Sequence, residues 1–179
     1  CLTPWWEQTG PGRPPLRFAW RDVGGRLDQY EGAAGSPYDG LSLRYANPVT
    51  GGPTLPTMDC WVQRLIPGFK GLPHRRTSSS VTYVISGSGS LETDSETIEF
   101  NPGDVLSLPN WTQHSLLNSS ESEPVLLFSM HDIPVLSTLG LFYEEPENIV
   151  DASPPPANPT KPLTRLYRDG AFYDAHERY

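Results

Sequence analysis

From residue 60 onward, apolar and polar positions alternate in short runs. Trp61-Val62-Gln63-Arg64-Leu65 has the period-two alternation of a strand with one buried face. Thr82-Tyr83-Val84-Ile85 is a β-branched and aromatic run closed by Gly87-Ser88-Gly89. Leu91-Glu92-Thr93 and Thr97-Ile98-Glu99-Phe100 flank Asp94-Ser95, the composition of a hairpin turn. Asn101-Pro102-Gly103-Asp104 is a turn ahead of Val105-Leu106-Ser107-Leu108, and residues 115–117 and 125–128 supply two further apolar strands. Short strands with turns every eight to twelve residues or so predict an all-β sandwich or barrel. The arrangement read here is a jelly-roll barrel over residues 57–132.

The flanks carry different patterns. Residues 1–56 are rich in Gly, Pro, Trp and Tyr and show little periodicity, so they read as an irregular N-terminal arm. Residues 17–30 can hold a short helix, limited by Gly24-Gly25. Trp5, Trp6, Phe18, Trp20 and Tyr30 each carry about 150–250 Å² of surface that needs a covering partner. Residues 133–179 read as a C-terminal extension. It comprises a helical turn or two over 134–141, the acidic run Tyr143-Glu144-Glu145-Pro146-Glu147, a proline-rich linker over 152–159 and an amphiphilic terminal segment expected to dock on a neighbour.

Charge narrows the function classes. Thirteen basic against 21 acidic side chains give a net charge of −8, which repels phosphate backbones and argues against nucleic acid as a partner. No stretch approaches the roughly 20 apolar residues that span a bilayer, and no basic segment followed by an apolar one opens the chain. Two cysteines, Cys1 and Cys60, do not make a disulfide framework, so a reducing, cytoplasmic setting is expected. A chain opening on Cys1 rather than Met is expected to have been processed or to continue upstream. No nucleophile-elbow, phosphate-loop or paired-cysteine motif is present.

Two spaced motifs carry the candidate chemistry. Residues 68–87 read G-x5-H-x-R-x3-S-x6-G, with His74, Arg76 and Ser80 at the marked positions. Residues 103–118 read G-x5-P-x-W-x2-H-x3-N, with Pro109, Trp111, His114 and Asn118. This pair resembles the two motifs of the cupin family, G-x5-H-x-H-x3,4-E-x6-G and G-x5-P-x-G-x2-H-x3-N. The resemblance implies a double-stranded β-helix that sets His74 and His114 across one pocket. It breaks at Arg76, Ser80 and Trp111, where the family has His, Glu and Gly.

Further stretches extend the likeness. They are residues 43–57 with Asn47-Pro48, Leu65-Ile66-Pro67-Gly68-Phe69, residues 77–89, Pro109-Asn110-Trp111, Leu127-Phe128-Ser129 and residues 139–145. Together they are similar to the C-terminal cupin of the gentisate 1,2-dioxygenase family of bicupins, which includes 1-hydroxy-2-naphthoate and salicylate ring-cleaving enzymes. That resemblance implies an oxidoreductase of aromatic catabolism that uses Fe(II) on three histidines, a small aromatic acid and O2. It also implies assembly with another cupin domain or with copies of itself. In many members the C-terminal cupin carries a damaged site.

Residue chemistry points the same way. His74 and His114 offer two nitrogen ligands, but a guanidinium at position 76 is always protonated and has no lone pair to give. Ser80 is a poor replacement, and Gln63 or Gln113 offers only a carbonyl oxygen. Metal binding in this domain is therefore expected to be weak or absent. Arg76 has two roles open to it: a bidentate partner for a substrate carboxylate, or an ion pair with an internal or partner carboxylate. Gln63, Tyr83 and Trp111 join Arg76 as candidate substrate-binding residues, against the alternative that they are core packing. His131 reads as a strand end rather than a ligand, His176 as a solvated tail residue, and Glu144, Glu145 and Glu147 as a solvated face. No catalytic residue is assigned. Two readings stand: the degenerate-site cupin of a ring-cleaving dioxygenase, or a metal-free cupin for assembly or small-acid binding.

Overall fold

The computed structural model describes residues 17–33, 35–48 and 50–146, together with the backbone of a separate hairpin at 165–168 and 171–174. In chain order the elements are α1 (Trp20–Gln29), β1 (Leu41–Arg44), β2 (Asp59–Leu65), β3 (His74–Arg76), β4 (Ser80–Ser86), β5 (Gly89–Thr93), β6 (Thr97–Phe100) and β7 (Val105–Leu108). They continue with β8 (His114–Leu117), β9 (Val125–His131), α2 (Ile133–Thr138), β10 (Glu144–Pro146), β11 (Arg165–Arg168) and β12 (Ala171–Asp174). Two antiparallel five-stranded sheets, ordered β1-β2-β9-β4-β7 and β10-β3-β8-β5-β6, face each other as the expected cupin barrel.

Alternation along the strands divides the interior into two ends. On β9, Val125, Leu127, Ser129 and His131 are buried while the intervening residues are half-buried on the outer face. Its neighbour β2 pairs Leu65 with Val125, Gln63 with Leu127, Trp61 with Ser129 and Asp59 with His131. One end is thus apolar, and a core of Leu65, Val84, Leu91, Phe100, Leu106, Leu116, Val125 and Leu127 fills it from both sheets. The other end collects polar and aromatic side chains. This polar end is where the site lies.

The flanks belong to the sheets more than their patterns imply. β1 lies in the arm, yet it extends the first sheet by pairing with β2 over four residues. β10 lies in the C-terminal extension, yet it closes the edge of the second sheet against β3. α1 covers the outside of the first sheet, packing Leu27 on Leu41 and Val62. The arm's aromatics are only partly covered: Phe18 meets Tyr45 edge-on at 5.0 Å, whereas Trp20 stays 49% exposed. Trp5, Trp6, Glu147, the linker and His176 lie outside the described residues.

Two features of the motifs explain why their residues are where they are. Gly87, the closing glycine of the first motif, sits at φ +78°, where a Cβ would lie 2.6 Å from the Pro124 carbonyl oxygen. Asn118, 1% exposed, donates its amide Nδ2 to the carbonyls of Leu65, Ile66 and Glu123 at 3.1, 3.0 and 2.9 Å. It fastens the turn after β8 to the apolar end.

Candidate functional site

β3 and β8 meet at one residue pair, His74 opposite His114. Both rings point into the polar end, with centroids 4.3 Å apart and exposures of 1% and 6%. Each ring uses its Nδ1 on a local backbone carbonyl, His74 on Leu72 at 3.3 Å and His114 on Thr112 at 3.0 Å. Nδ1–H donation fixes the tautomer and leaves Nε2 as the lone-pair atom. Burial holds both imidazoles neutral, with pKa values near 4, and the charge of Arg76 adds to the effect on each. Among the described residues, His74 Nε2 is a buried polar atom without a hydrogen-bond partner.

Arg76 shares the inner face with His74 because the two are separated by one residue on β3. Its guanidinium is held from both sides. From the arm, Asp39 forms an ion pair with it through Nη2, and Nη1 donates to Asp39 Oδ1 at 3.4 Å. From the extension, Glu144 accepts from Nε at 2.9 Å and lies 2.8 Å from Nη2. Glu144 stands directly opposite Arg76 in the β3–β10 ladder, so the two share one face, as Glu145 and Arg75 share the other. These carboxylates hold the guanidinium firmly protonated despite its burial. Asp39 is pushed down to about 2: desolvation, the largest influence, opposes this, but Arg76 and the two imidazoles outweigh it.

Asp39 gets there through a tight loop. Ser36 and Gly40 exchange backbone hydrogen bonds, and Ser36 Oγ accepts from the N–H groups of Tyr38 and Asp39. Gly40 sits at φ +66°, where a Cβ would meet the Arg64 carbonyl oxygen at 2.9 Å. Tyr38 then lays its ring edge-on to His74 at 5.3 Å.

The other anticipated residues divide into two groups. Gln63 is inside, 4% exposed, donating to the Asp39 carbonyl at 3.4 Å. Tyr83 and Trp111 are not brought to the histidines. Tyr83 is on the outer face of β4 and 45% exposed, while Trp111 is 42% exposed with the Arg75 guanidinium 4.7 Å above its ring. His131, read from sequence as a strand end, is buried in the polar end, tilted against Trp61 at 4.8 Å. Its Nε2 is engaged with Ser129 Oγ at 2.9 Å. Glu144, read as part of a solvated face, is exposed and in addition pairs with Arg76. Asp39 and the role of Glu144 had no local signal, since each meets Arg76 across a long stretch of chain.

Residues 61–131 match the cupin domain family. The chain belongs with the gentisate-type cupins. It is 64% identical over 176 residues to 1-hydroxy-2-naphthoate 1,2-dioxygenase of Nocardioides sp. (strain KP7), covering 98% of this chain and 46% of that protein. It is 40% identical over 142 residues to 5-aminosalicylate 1,2-dioxygenase of Comamonas sp., covering 78% of this chain and 37% of that one. The salicylate 1,2-dioxygenase structure from Pseudaminobacter salicylatoxidans superimposes with a TM-score of 0.64 at 27% identity, over 77% of this chain and 44% of that one. This cupin thus spans about half the length of the relatives it matches or less.

Three departures from the cupin motifs now have a structural meaning. Ser80 starts β4 opposite Leu108 and His131 and is not among the partners of the His74–Arg76 cluster. Trp111 takes the motif's glycine position at φ 59°, the left-handed region that explains the family's glycine. Its N–H donates to the Arg76 carbonyl at 2.6 Å. Arg76 is decisive. A three-imidazole iron site does not fit these residues, because the third position is a cation already bound to two carboxylates and His131 is engaged elsewhere.

Proposed function

We propose that this cupin is the degenerate half of an Fe(II) ring-cleaving dioxygenase for a hydroxylated aromatic acid, with the reactive iron in another cupin. Lineage supports the activity: the relatives with the highest identities quoted above are dioxygenases of 1-hydroxy-2-naphthoate and 5-aminosalicylate. One observation supports the assignment to the inactive half. Arg76, 8% exposed and ion-paired with Asp39 and Glu144, sits where the resemblance calls for a third imidazole. A guanidinium donates no electron pair and repels a dication held on its neighbours. The neutral His74 and His114 remain as two ligands of an incomplete set.

The alternative, a metal-free cupin used for assembly or small-acid binding, draws on the same residue. Its assembly role is compatible with the first reading. Small-acid capture by Arg76 is less well supported, since an incoming carboxylate must displace Glu144 or Asp39. Gln63 would line such a pocket, whereas Tyr83 and Trp111 would serve contacts on the outside of the barrel. The expected partners are a second cupin domain or further copies of the chain, and the small number of cysteines favours a cytoplasmic setting.

Oxygen uptake tests the reading. With iron(II) and 1-hydroxy-2-naphthoate or gentisate, the chain by itself is expected to consume no O2. The complete iron-loaded assembly is expected to consume O2 and release an absorbing ring-opened product. Ring cleavage by this chain alone would contradict the assignment to the inactive half, and an inactive complete assembly would contradict the dioxygenase itself.

A further inference from the structure

In the cluster at the polar end, two carboxylates, Asp39 and Glu144, face the single guanidinium of Arg76. His74 is frustrated. With Nδ1–H on the Leu72 carbonyl, its Nε2 lone pair faces Asp39 Oδ1 at 3.6 Å, acceptor against acceptor. Turning the tautomer around satisfies Nε2 and sets Nδ1 against the carbonyl oxygen instead. His74 Nε2, buried and without a hydrogen-bond partner, therefore lies beside a carboxylate oxygen in the arrangement of two ligand atoms around one ion.

We propose that Asp39, His74 and Glu144 form a masked carboxylate–imidazole site for a divalent transition-metal ion, kept closed by the guanidinium of Arg76. The inference rests on the reading above, in which Arg76 excludes metal from this half. One ligand atom from each of the three residues lies within 4.8 Å of the others. Donors bonded to one ion at about 2.1 Å lie no more than about 4.2 Å apart, so small side-chain rotations close the set. Two carboxylates and one imidazole suit Mn(II), Fe(II), Co(II) or Zn(II) and lack the thiolates that select softer ions. The Nδ1 bond to Leu72 already orients His74 as a ligand. This set differs from the cupin motif's own, because Asp39 and Glu144 come from the segments before and after the two motifs. Arg76 occupies the charge position of the ion and ties down both carboxylates, so its removal frees them at once.

The probe is Co(II), whose visible absorption reports on its ligands. In equilibrium dialysis, Arg76→Gln is expected to bind one Co(II) per chain at least ~10-fold more tightly than the unaltered chain. Adding Asp39→Asn or Glu144→Gln to it is expected to weaken binding by about 10-fold or more. If folded Arg76→Gln binds no better than the unaltered chain, or if Asp39→Asn leaves its binding intact, the masked site is refuted and the inactive-half reading stands. Tight Co(II) binding by the unaltered chain would refute masking and that reading together. Circular dichroism covers the case in which Arg76→Gln unfolds. Recovery of folding with Co(II) supports the site, and failure of both Arg76→Gln and Arg76→Met to recover with Co(II) refutes it.

Discussion

Arg76 is the residue on which the chemistry turns, and its partners set its energetics. Removing Asp39 leaves the guanidinium with Glu144 as its remaining carboxylate, so the loss is that of a buried charged hydrogen bond, about 1.5–3 kcal/mol. Asp39→Asn is therefore expected to lower the free energy of unfolding by that amount in urea titration; a change below about 1 kcal/mol would mean that Glu144 alone suffices for the guanidinium. The neighbouring imidazoles set the acid response. His74 and His114 fall to about 4 and His131 to about 3 from 6.5 in the unfolded chain, chiefly through desolvation. A folded-state pKa below the unfolded one gives stability that is complete above pH 6.5 and is lost as pH falls through those lower values. Asp39 adds a second loss between its ordinary 3.8 and about 2. Thermal unfolding is thus expected to move to lower temperature from pH 6.5 down to 4, and a flat profile over that window would contradict the burial of neutral histidines. His74, His114 and the anomaly at Arg76 were legible from spacing, because motif distances are local. Asp39 was not, since its meaning comes from a loop that folds back 37 positions before Arg76.

Strands set between clear turn residues were readable, and the three-residue ones and the strand in the arm were not. β2, β4, β5, β6, β7, β8 and β9 all overlap runs that the hydrophobic pattern marks, and Asp94-Ser95 does turn the β5–β6 hairpin. β3 and β10 have three residues each, too few alternations to stand out from turn-rich surroundings. β1 has four, as β6, β7 and β8 do, but lies in the Gly- and Pro-rich arm, which hides it. That is why the arm and the extension looked irregular, and the pairing of exposed Glu144 with Arg76 is defined only by the β3–β10 register. The motif asparagine has a different role from the histidines, one of construction. Asn118→Ala is expected to cost about 1–3 kcal/mol, the scale of leaving buried carbonyls without a donor. It should leave the acid response of the imidazoles unchanged, because Asn118 lies at the apolar end. Denaturant midpoints of that variant at neutral pH and from pH 6.5 down to 4 check both halves of the statement, and an altered pH response without loss of stability would reverse it.

As a whole, the molecule is a barrel with an apolar end for stability and a polar end in which an internal ion-pair cluster stands where its relatives' motif calls for histidine ligands. Its exterior points to company. Val105, Leu139, Leu141, Tyr143 and Trp20 are each about half exposed or more, and an apolar surface of that kind favours association. Sedimentation at micromolar concentration is expected to find a dimer or larger assembly, whereas a clean monomer would remove that expectation. The fold and the lineage were legible because glycine, proline and histidine positions in the two motifs are dictated by turns and strand ends. What closes the pocket was illegible because both carboxylates lie outside those motifs. The most direct test is iron content after anaerobic reconstitution and desalting. Far less than one iron per chain is expected, rising when Arg76→His restores the third imidazole. Close to one iron per unaltered chain, lost in His74→Ala and in His114→Ala, would contradict it.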